Sequence, residues 1–259
     1  MKPAILYQSE QCTHCGACAS VCPTGAARVD DHHCLHFDRA LCTACGLCVE
    51  QCPAAARKLT AKPYTLHELV KLAARDQPFY KESGGGITLS GGEVMMQDFQ
   101  TLKALLQALH RRGIPVNIDT CGHAPWERFK IVLPWVHTFM YDFKAFDSVL
   151  HKRLTGQDNT LILSNLKALS DAGARLDLRL PIIGGANDSL ADWEIAANWL
   201  RQNVHVHEIH LLPYHNTGTG KYLRLGMEAS TFSIPAAETL QSIRTLFQRI
   251  GFPAPVIGG

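Results

Sequence analysis

The sequence predicts an α/β protein in two parts, a small cysteine-rich domain followed by a parallel sheet or barrel. Three observations predict it. Nine of the ten cysteines lie before Arg57. After Lys62-Pro63 cysteines nearly vanish and short apolar strands alternate with amphipathic helices. Polar clusters recur at the carboxyl ends of those strands, the edge where parallel α/β folds bind ligands. The 259 residues are 46% hydrophobic, enough for a real core, and the net charge of +2 sets up no field suited to nucleic acid or an anionic membrane. No apolar run approaches a membrane span, and the first residues are too short for an export signal, so a cytoplasmic location is expected.

The cysteines come as two copies of C-x2-C-x2-C-x3-C-P. The first copy is Cys12, Cys15, Cys18 and Cys22 before Pro23, and the second is Cys42, Cys45, Cys48 and Cys52 before Pro53. This is the bacterial two-cluster ferredoxin pattern, in which the fourth cysteine of each run serves the other cluster. One 4Fe-4S cube is therefore expected on Cys12, Cys15, Cys18 and Cys52, and a second on Cys42, Cys45, Cys48 and Cys22. Gaps of two residues let one loop wrap three corners of a cube, and Gly16 and Gly46 allow the backbone to pass close to inorganic sulfide. Zinc also uses C-x2-C pairs, but eight cysteines in two tight runs closed by Cys-Pro fit it poorly. Cys34, among His32, His33 and His36, is expected on a hairpin joining the two halves. Cys121 has no cysteine partner nearby and is not expected to be a ligand.

The second part reads in order. Thr65 caps a helix over "TLHELVKLAARDQ". Ile87–Leu89 form a strand, and a helix follows over "DFQTLKALLQALHRR", stopped by Gly113. Then come strand "PVNID", a short helix near Trp126, strand "HTFMYD", helix "NTLILSNLKALSDAG", strand "RLDLRL", helix "LADWEIAANWLRQ", strand "HEIHLL" and a last helix "AAETLQSIRTLFQRI". Five strands result, each ending in a polar cluster: Ser90-Gly91-Gly92-Glu93, Asp119-Thr120-Cys121-Gly122, Asp142-Phe143-Lys144, Arg179, and Leu212-Pro213-Tyr214-His215. "GTGKY" at Gly218 reads as part of the His215 loop. Together the clusters suggest recognition of a zwitterion. Asp119 and Asp142 would face an ammonium, a sulfonium or a small cation; Lys144 and Arg179 would pair a carboxylate, and amides near Gly91 and Gly92 would approach closely. S-adenosylmethionine has that charge pattern.

The stretches "GGGITLSGGE", "DTCG", "YDFK", "RLPII" and "LPYH" with "GTGKY" resemble the activating enzymes of glycyl radical enzymes, within the radical S-adenosylmethionine superfamily. The subgroup with a ferredoxin-type insert, related to the pyruvate formate-lyase activating enzyme, matches best, over nearly the whole chain from Gln11. The resemblance implies a partial (β/α) barrel of the radical S-adenosylmethionine type missing its first strand, over residues 63–259. A ferredoxin-like domain over 11–62 precedes it, after a stub over 1–10. It implies reductive cleavage of S-adenosylmethionine to a 5′-deoxyadenosyl radical, which takes a hydrogen from a backbone glycine of a partner enzyme. It places Gly91, Gly92 and Glu93 at the methionine amino end. Asp119, Thr120 and Asp142 become an acidic cluster suited to a cation, with Lys144, Arg179 and His215 as further cofactor contacts. A flavodoxin- or ferredoxin-like protein would donate electrons to the two accessory cubes.

The sequence departs from that family in one respect. The family carries its third, catalytic 4Fe-4S cluster on C-x3-C-x2-C before the ferredoxin insert, and no such run occurs here, so the catalytic-cluster cysteines are not assigned. A truncated amino terminus is the expected reason, and cleavage of S-adenosylmethionine by this polypeptide as written is not expected. Val94 replaces the proline that usually follows "GGE", and "IIGG" replaces "I-P-G". Two other readings compete. One is a non-catalytic ferredoxin-type electron-transfer protein. The other, a reductase, would want a G-x-G-x-x-G after a strand, and none occurs.

Overall fold

The computed structural model describes residues 4–32, 34–228 and 232–258, so residues 1–3 and His33 lie outside it. The chain forms two compact units, one from residues 1–63 with 216–231, the other from 64–215 with 232–259.

The first unit carries a twofold internal repeat. Strand β1 (Ile5–Tyr7) leads to α1 (Ala17–Ser20), then β2 (Ala27–Val29); strand β3 (Leu35–Phe37) leads to α2 (Leu47–Glu50), then β4 (Arg57–Leu59). The halves exchange strands: β1 pairs antiparallel with β4, Tyr7 opposite Arg57, and β2 with β3, Ala27 opposite Phe37. Residues 4–10 are thus no stub. Without β1, strand β4 would lose its pairing partner and Ile5, 1% exposed, would leave the small core it shares with Cys18, Ala27 and Cys48. The β2–β3 hairpin carries Cys34 as expected. Gly16 and Gly46 open α1 and α2 at φ of 73° and 89°, a left-handed turn that favours glycine.

The second unit begins with α3 (Leu66–Arg75), capped by a reciprocal Thr65–Glu68 pair, and α4 (Gln77–Ser83). Then come β5 (Ile87–Leu89), α5 (Phe99–His110), β6 (Val116–Thr120), α6 (Trp126–Val132) and β7 (Thr138–Asp142). Next are α7 (Ser148–Thr155), α8 (Thr160–Asp171), β8 (Leu176–Ile182), α9 (Leu190–Asn203) and β9 (Glu208–Pro213). The following α10 (Thr219–Arg224) belongs to the first unit, where Arg39 donates to the Arg224 carbonyl at 2.8 Å. The "GTGKY" stretch is therefore a helix turn rather than plain loop. Helix α11 (Ala237–Ile250) and β10 (Val256–Ile257) complete the second unit. Among the described residues no helix is long and apolar enough to cross a membrane.

The sheet has six strands, one more than expected, in the order β10-β9-β8-β7-β6-β5, all parallel. Strand β10 escapes sequence reading because it is two residues long, both exposed, and only its pairing with β9 defines it. Consecutive order with crossovers of one hand gathers the helices on one face. That face is apolar: Val116, Ile118, Phe139, Tyr141, Leu178, Leu180 and Leu211 are all buried. The period of two turns Asn117, Asp119, Asp142, Asp177, Arg179 and His210 to the other face.

Gly122, just after β6, is where the backbone needs glycine most. Its φ is +75°, and a Cβ there would overlap the hydroxyl of Tyr141, which is fully buried and donates to the Ile162 carbonyl at 2.7 Å. Gly122→Ala should lower unfolding free energy by about 3 kcal/mol, from overpacking plus left-handed strain. A urea midpoint within experimental scatter of wild type would contradict this.

Candidate functional site

Each cysteine run bends so that backbone amides face sulfur. Cys12 accepts from the His14 N–H and Cys42 from the Ala44 N–H, both at 3.4 Å. His14 and Ala44 hold left-handed φ of 56° and 55°, which aims those amides. Cys22 accepts from Ala27 at 3.4 Å and Cys52 from Ala56 at 3.3 Å. The Ala27 amide holds the Cys22 thiol down to about 7. Cys12, Cys15, Cys18 and Cys52 line one small cavity, and Cys42, Cys45, Cys48 and Cys22 line a second. Four thiols and amide donors to sulfur in each cavity fit a 4Fe-4S cube. Cys34 and Cys121 line neither cavity.

In the second unit the polar clusters meet along the carboxyl edge of the sheet. Asp119 on β6 accepts from Arg179 on β8 at 2.7 Å and from the Ser90 hydroxyl after β5 at 2.7 Å. Asp142, the last residue of β7, accepts from Lys144 at 2.9 Å. Asp142 and Arg179 are register neighbours on β7 and β8. Both ion pairs are partly exposed, with side chains between 21% and 30% accessible. Arg179 lies in the middle of β8, not at its end, because β8 runs on through Pro181 to Ile182; the longer strand places Arg179 level with the end of β7. Gly91 and Gly92 are exposed, at φ of 96° and 64°. His215 is exposed two residues beyond β9.

Glu93 turns inward. One carboxylate oxygen accepts from the Thr120 hydroxyl at 2.7 Å and the Met95 N–H at 3.0 Å, the other from the Cys121 N–H at 2.8 Å. Burial, with the Glu93 carboxylate beside it, pushes the Cys121 thiol up to about 11. Thr120 is buried and also receives the Gly122 N–H at 3.0 Å. Its hydroxyl thus links the strand end to Glu93.

Comparison with known proteins adds family to geometry. The 4Fe-4S dicluster domain family matches residues 11–56. The trans-4-hydroxy-L-proline dehydratase activating enzyme of Clostridioides difficile is 39% identical over 98% of this chain and 85% of its own length. The choline trimethylamine-lyase activating enzyme of Oleidesulfovibrio alaskensis is also 39% identical, over 98% of this chain and 84% of its own. This chain is a glycyl-radical-enzyme activating enzyme by family. A domain of the pyruvate-formate lyase-activating enzyme from Bacteroides vulgatus superposes with a TM-score of 0.58 at 27% identity, over 68% of this chain and all of that one. A radical SAM methyltransferase from Sphaerobacter thermophilus shares the fold alone, with a TM-score of 0.56 at 18% identity, over 83% of this chain and 61% of that one. The activating enzymes belong to the radical S-adenosylmethionine superfamily, and iron–sulfur clusters and S-adenosylmethionine come with that membership.

Sequence reading names Ser90 in the polar cluster after β5 but gives it no role; the structure does, since its hydroxyl donates to Asp119 at 2.7 Å. Sequence reading misses Asn187, which also shapes the edge of this activating enzyme. It is 3% exposed, and its amide donates to the Lys144 and Pro181 carbonyls at 2.8 and 2.7 Å while accepting from the Ile183 N–H at 2.7 Å. It ties the turn after β8 to the Lys144 loop, 43 residues away in sequence, and no local pattern encodes such a contact.

Proposed function

We propose that this chain is built for activation of a glycyl radical enzyme, holding S-adenosylmethionine at the carboxyl edge of its sheet with two ferredoxin-type cubes to pass electrons; cleavage of the cofactor further needs a catalytic 4Fe-4S cluster, for which this sequence has no C-x3-C-x2-C run. The observation that carries the reading is the pair of neighbouring ion pairs, Asp119–Arg179 and Asp142–Lys144, on three consecutive strands. An amino acid zwitterion can exchange with both pairs: its ammonium replaces a cation beside Asp119 or Asp142, and its carboxylate replaces an anion beside Arg179 or Lys144. Thr120 keeps the end of β6 in place. Gly91 and Gly92 let backbone approach the ligand without a Cβ between. Glu93 serves this site through Thr120 and Cys121, since its own oxygens are engaged. His215 follows the carboxyl end of β9 and is assigned to the same site. Bound S-adenosylmethionine, given one electron from a reduced 4Fe-4S cluster, would yield methionine and a 5′-deoxyadenosyl radical able to take a hydrogen from a glycine of the partner. Cys12, Cys15, Cys18 and Cys52 hold one accessory cube and Cys42, Cys45, Cys48 and Cys22 the other. A flavodoxin- or ferredoxin-like protein is the electron donor, in the reducing cytoplasm that thiolate-held clusters favour.

Equilibrium dialysis with S-adenosylmethionine tests the site. Wild type should bind, and Arg179→Ala should weaken binding at least tenfold while leaving the far-ultraviolet circular dichroism unchanged. Equal affinity in both proteins would place the ligand elsewhere. Absence of binding together with redox-active cubes would support the electron-transfer reading instead. Mixing the chain with a candidate partner, S-adenosylmethionine and dithionite, then seeking a radical signal on the partner, tests the activation step.

A further inference from the structure

Arg57 is the most conspicuous unsatisfied group in the first unit. Its side chain is 2% exposed, and neither terminal nitrogen has a hydrogen-bond partner. The guanidinium sits between two rings, 4.6 Å from the centroid of Phe37 and 5.1 Å from that of Tyr7. Ring faces attract a cation but accept no conventional hydrogen bond. A nearby arginine shows the contrast: Arg39 donates to the Ile5 and Arg224 carbonyls, both at 2.8 Å. A buried guanidinium with its fork unpaired needs an anion beside it.

The internal repeat says which anion. The cavity walls match position for position thirty residues apart: Tyr7 with Phe37, Cys12 with Cys42, Cys52 with Cys22. At one of these matched positions the match fails in charge. The wall holding Cys12, Cys15, Cys18 and Cys52 includes Arg57, and the wall of the other includes Ala27, 2% exposed, at the equivalent place. The guanidinium faces one ring from each cavity wall, Tyr7 of the first and Phe37 of the second, but Arg57 itself lines only the first.

We propose that Arg57 splits the two cubes in potential, donating to the sulfur of the first cube so that a single electron entering the pair rests there. Hydrogen bonds to sulfur and net local charge are among the factors that set iron–sulfur potentials. Reduction adds one negative charge to a cube and a buried cation favours that form. The balance is simple: a one-electron reductant loses one electron, the first cube gains it, and no bond or proton changes hands. The inference rests on the two cavities being 4Fe-4S sites.

An anaerobic redox titration of the reconstituted full chain with dithionite, followed by visible absorbance and paramagnetic resonance, tests it. Wild type should show two one-electron waves at least tenfold apart in equilibrium constant, about 59 mV for one electron. Arg57→Gln should lower the upper wave and narrow the gap at unchanged iron content. Arg57→Lys, which keeps the charge without the fork, should lower it less. A chain carrying Cys12→Ala and Cys52→Ala should retain the lower wave. One unsplit wave in wild type, an unchanged gap in Arg57→Gln, or survival of the upper wave in the double variant would overturn the proposal. Should Arg57→Gln fail to take up iron, Arg57→Lys decides: a lowered upper wave supports the proposal and an unchanged pair overturns it. Wild type that binds no iron would instead fail the reading of the cavities.

Discussion

Glu93→Gln unfolds at lower urea than wild type, with a loss of about 3 kcal/mol, and Glu93→Ala loses more. The carboxylate collects three donors from two segments: Thr120 Oγ1, Cys121 N and Met95 N. Hydrogen bonds to a charged acceptor contribute roughly 1.5–3 kcal/mol each, and a buried donor left alone costs about 1–3 kcal/mol more. Glutamine keeps one acceptor oxygen but presents an NH2 group to a donor that formerly met oxygen. Alanine leaves all three donors to whatever water reaches them, and Thr120 is only 2% exposed. Aspartate keeps the charge but is shorter by one methylene, so it cannot hold both segments at these distances. Urea unfolding followed by tryptophan fluorescence reads the effect. A glutamine variant within about 0.5 kcal/mol of wild type would show that the carboxylate is solvated rather than bonded as described. The same substitution loosens the end of β6, which carries Asp119, so binding at the edge should weaken along with stability.

The second expected result concerns the iron sites. A chain with Cys12→Ala and Cys52→Ala keeps half its iron after anaerobic reconstitution, whereas one with Cys42→Ala and Cys52→Ala keeps almost none. The first pair lines a single cavity; the second pair takes one ligand from each. If each run instead served its own cube, the outcomes would reverse, because Cys42 and Cys52 belong to the same run. Cys34→Ala and Cys121→Ala serve as controls and should keep the full iron content, since neither residue lines a cavity. Iron assay and the visible charge-transfer absorbance provide the count. The exchange has a mechanical cause: β1 pairs with β4 and β2 with β3, so the end of each run returns beside the start of the other.

Much of this protein was legible without coordinates. The cysteine runs are local signals, because the ferredoxin pattern puts three ligands of a cube within one loop, at a spacing set by the size of the cube. The βα alternation was equally plain, since buried parallel strands are short apolar runs and the helices between them carry a period near 3.6. Polar residues after each strand could be assigned to one edge by the topology of parallel sheets alone. Where signals were weaker the reading fell short. Two-residue β10 has too little pattern to see, α7 is not among the helices the sequence predicts, and β8 continues through Pro181, a residue that usually argues against a strand interior.

Sequence by itself determined the class of fold and marked out two cysteine runs and one polar strand edge, because each follows from periodicity or spacing along a few adjacent residues. Only the tertiary structure decided the partners of those residues. It turned Glu93 toward Thr120, joined Asp119 to Arg179 across 60 residues, and sent α10 to the cysteine-rich unit. It also buried Arg57 where the repeat offers Ala27. The physical reason is that hydrogen bonds and ion pairs reach only about 3 Å, and distant segments come that close only once the whole chain has packed.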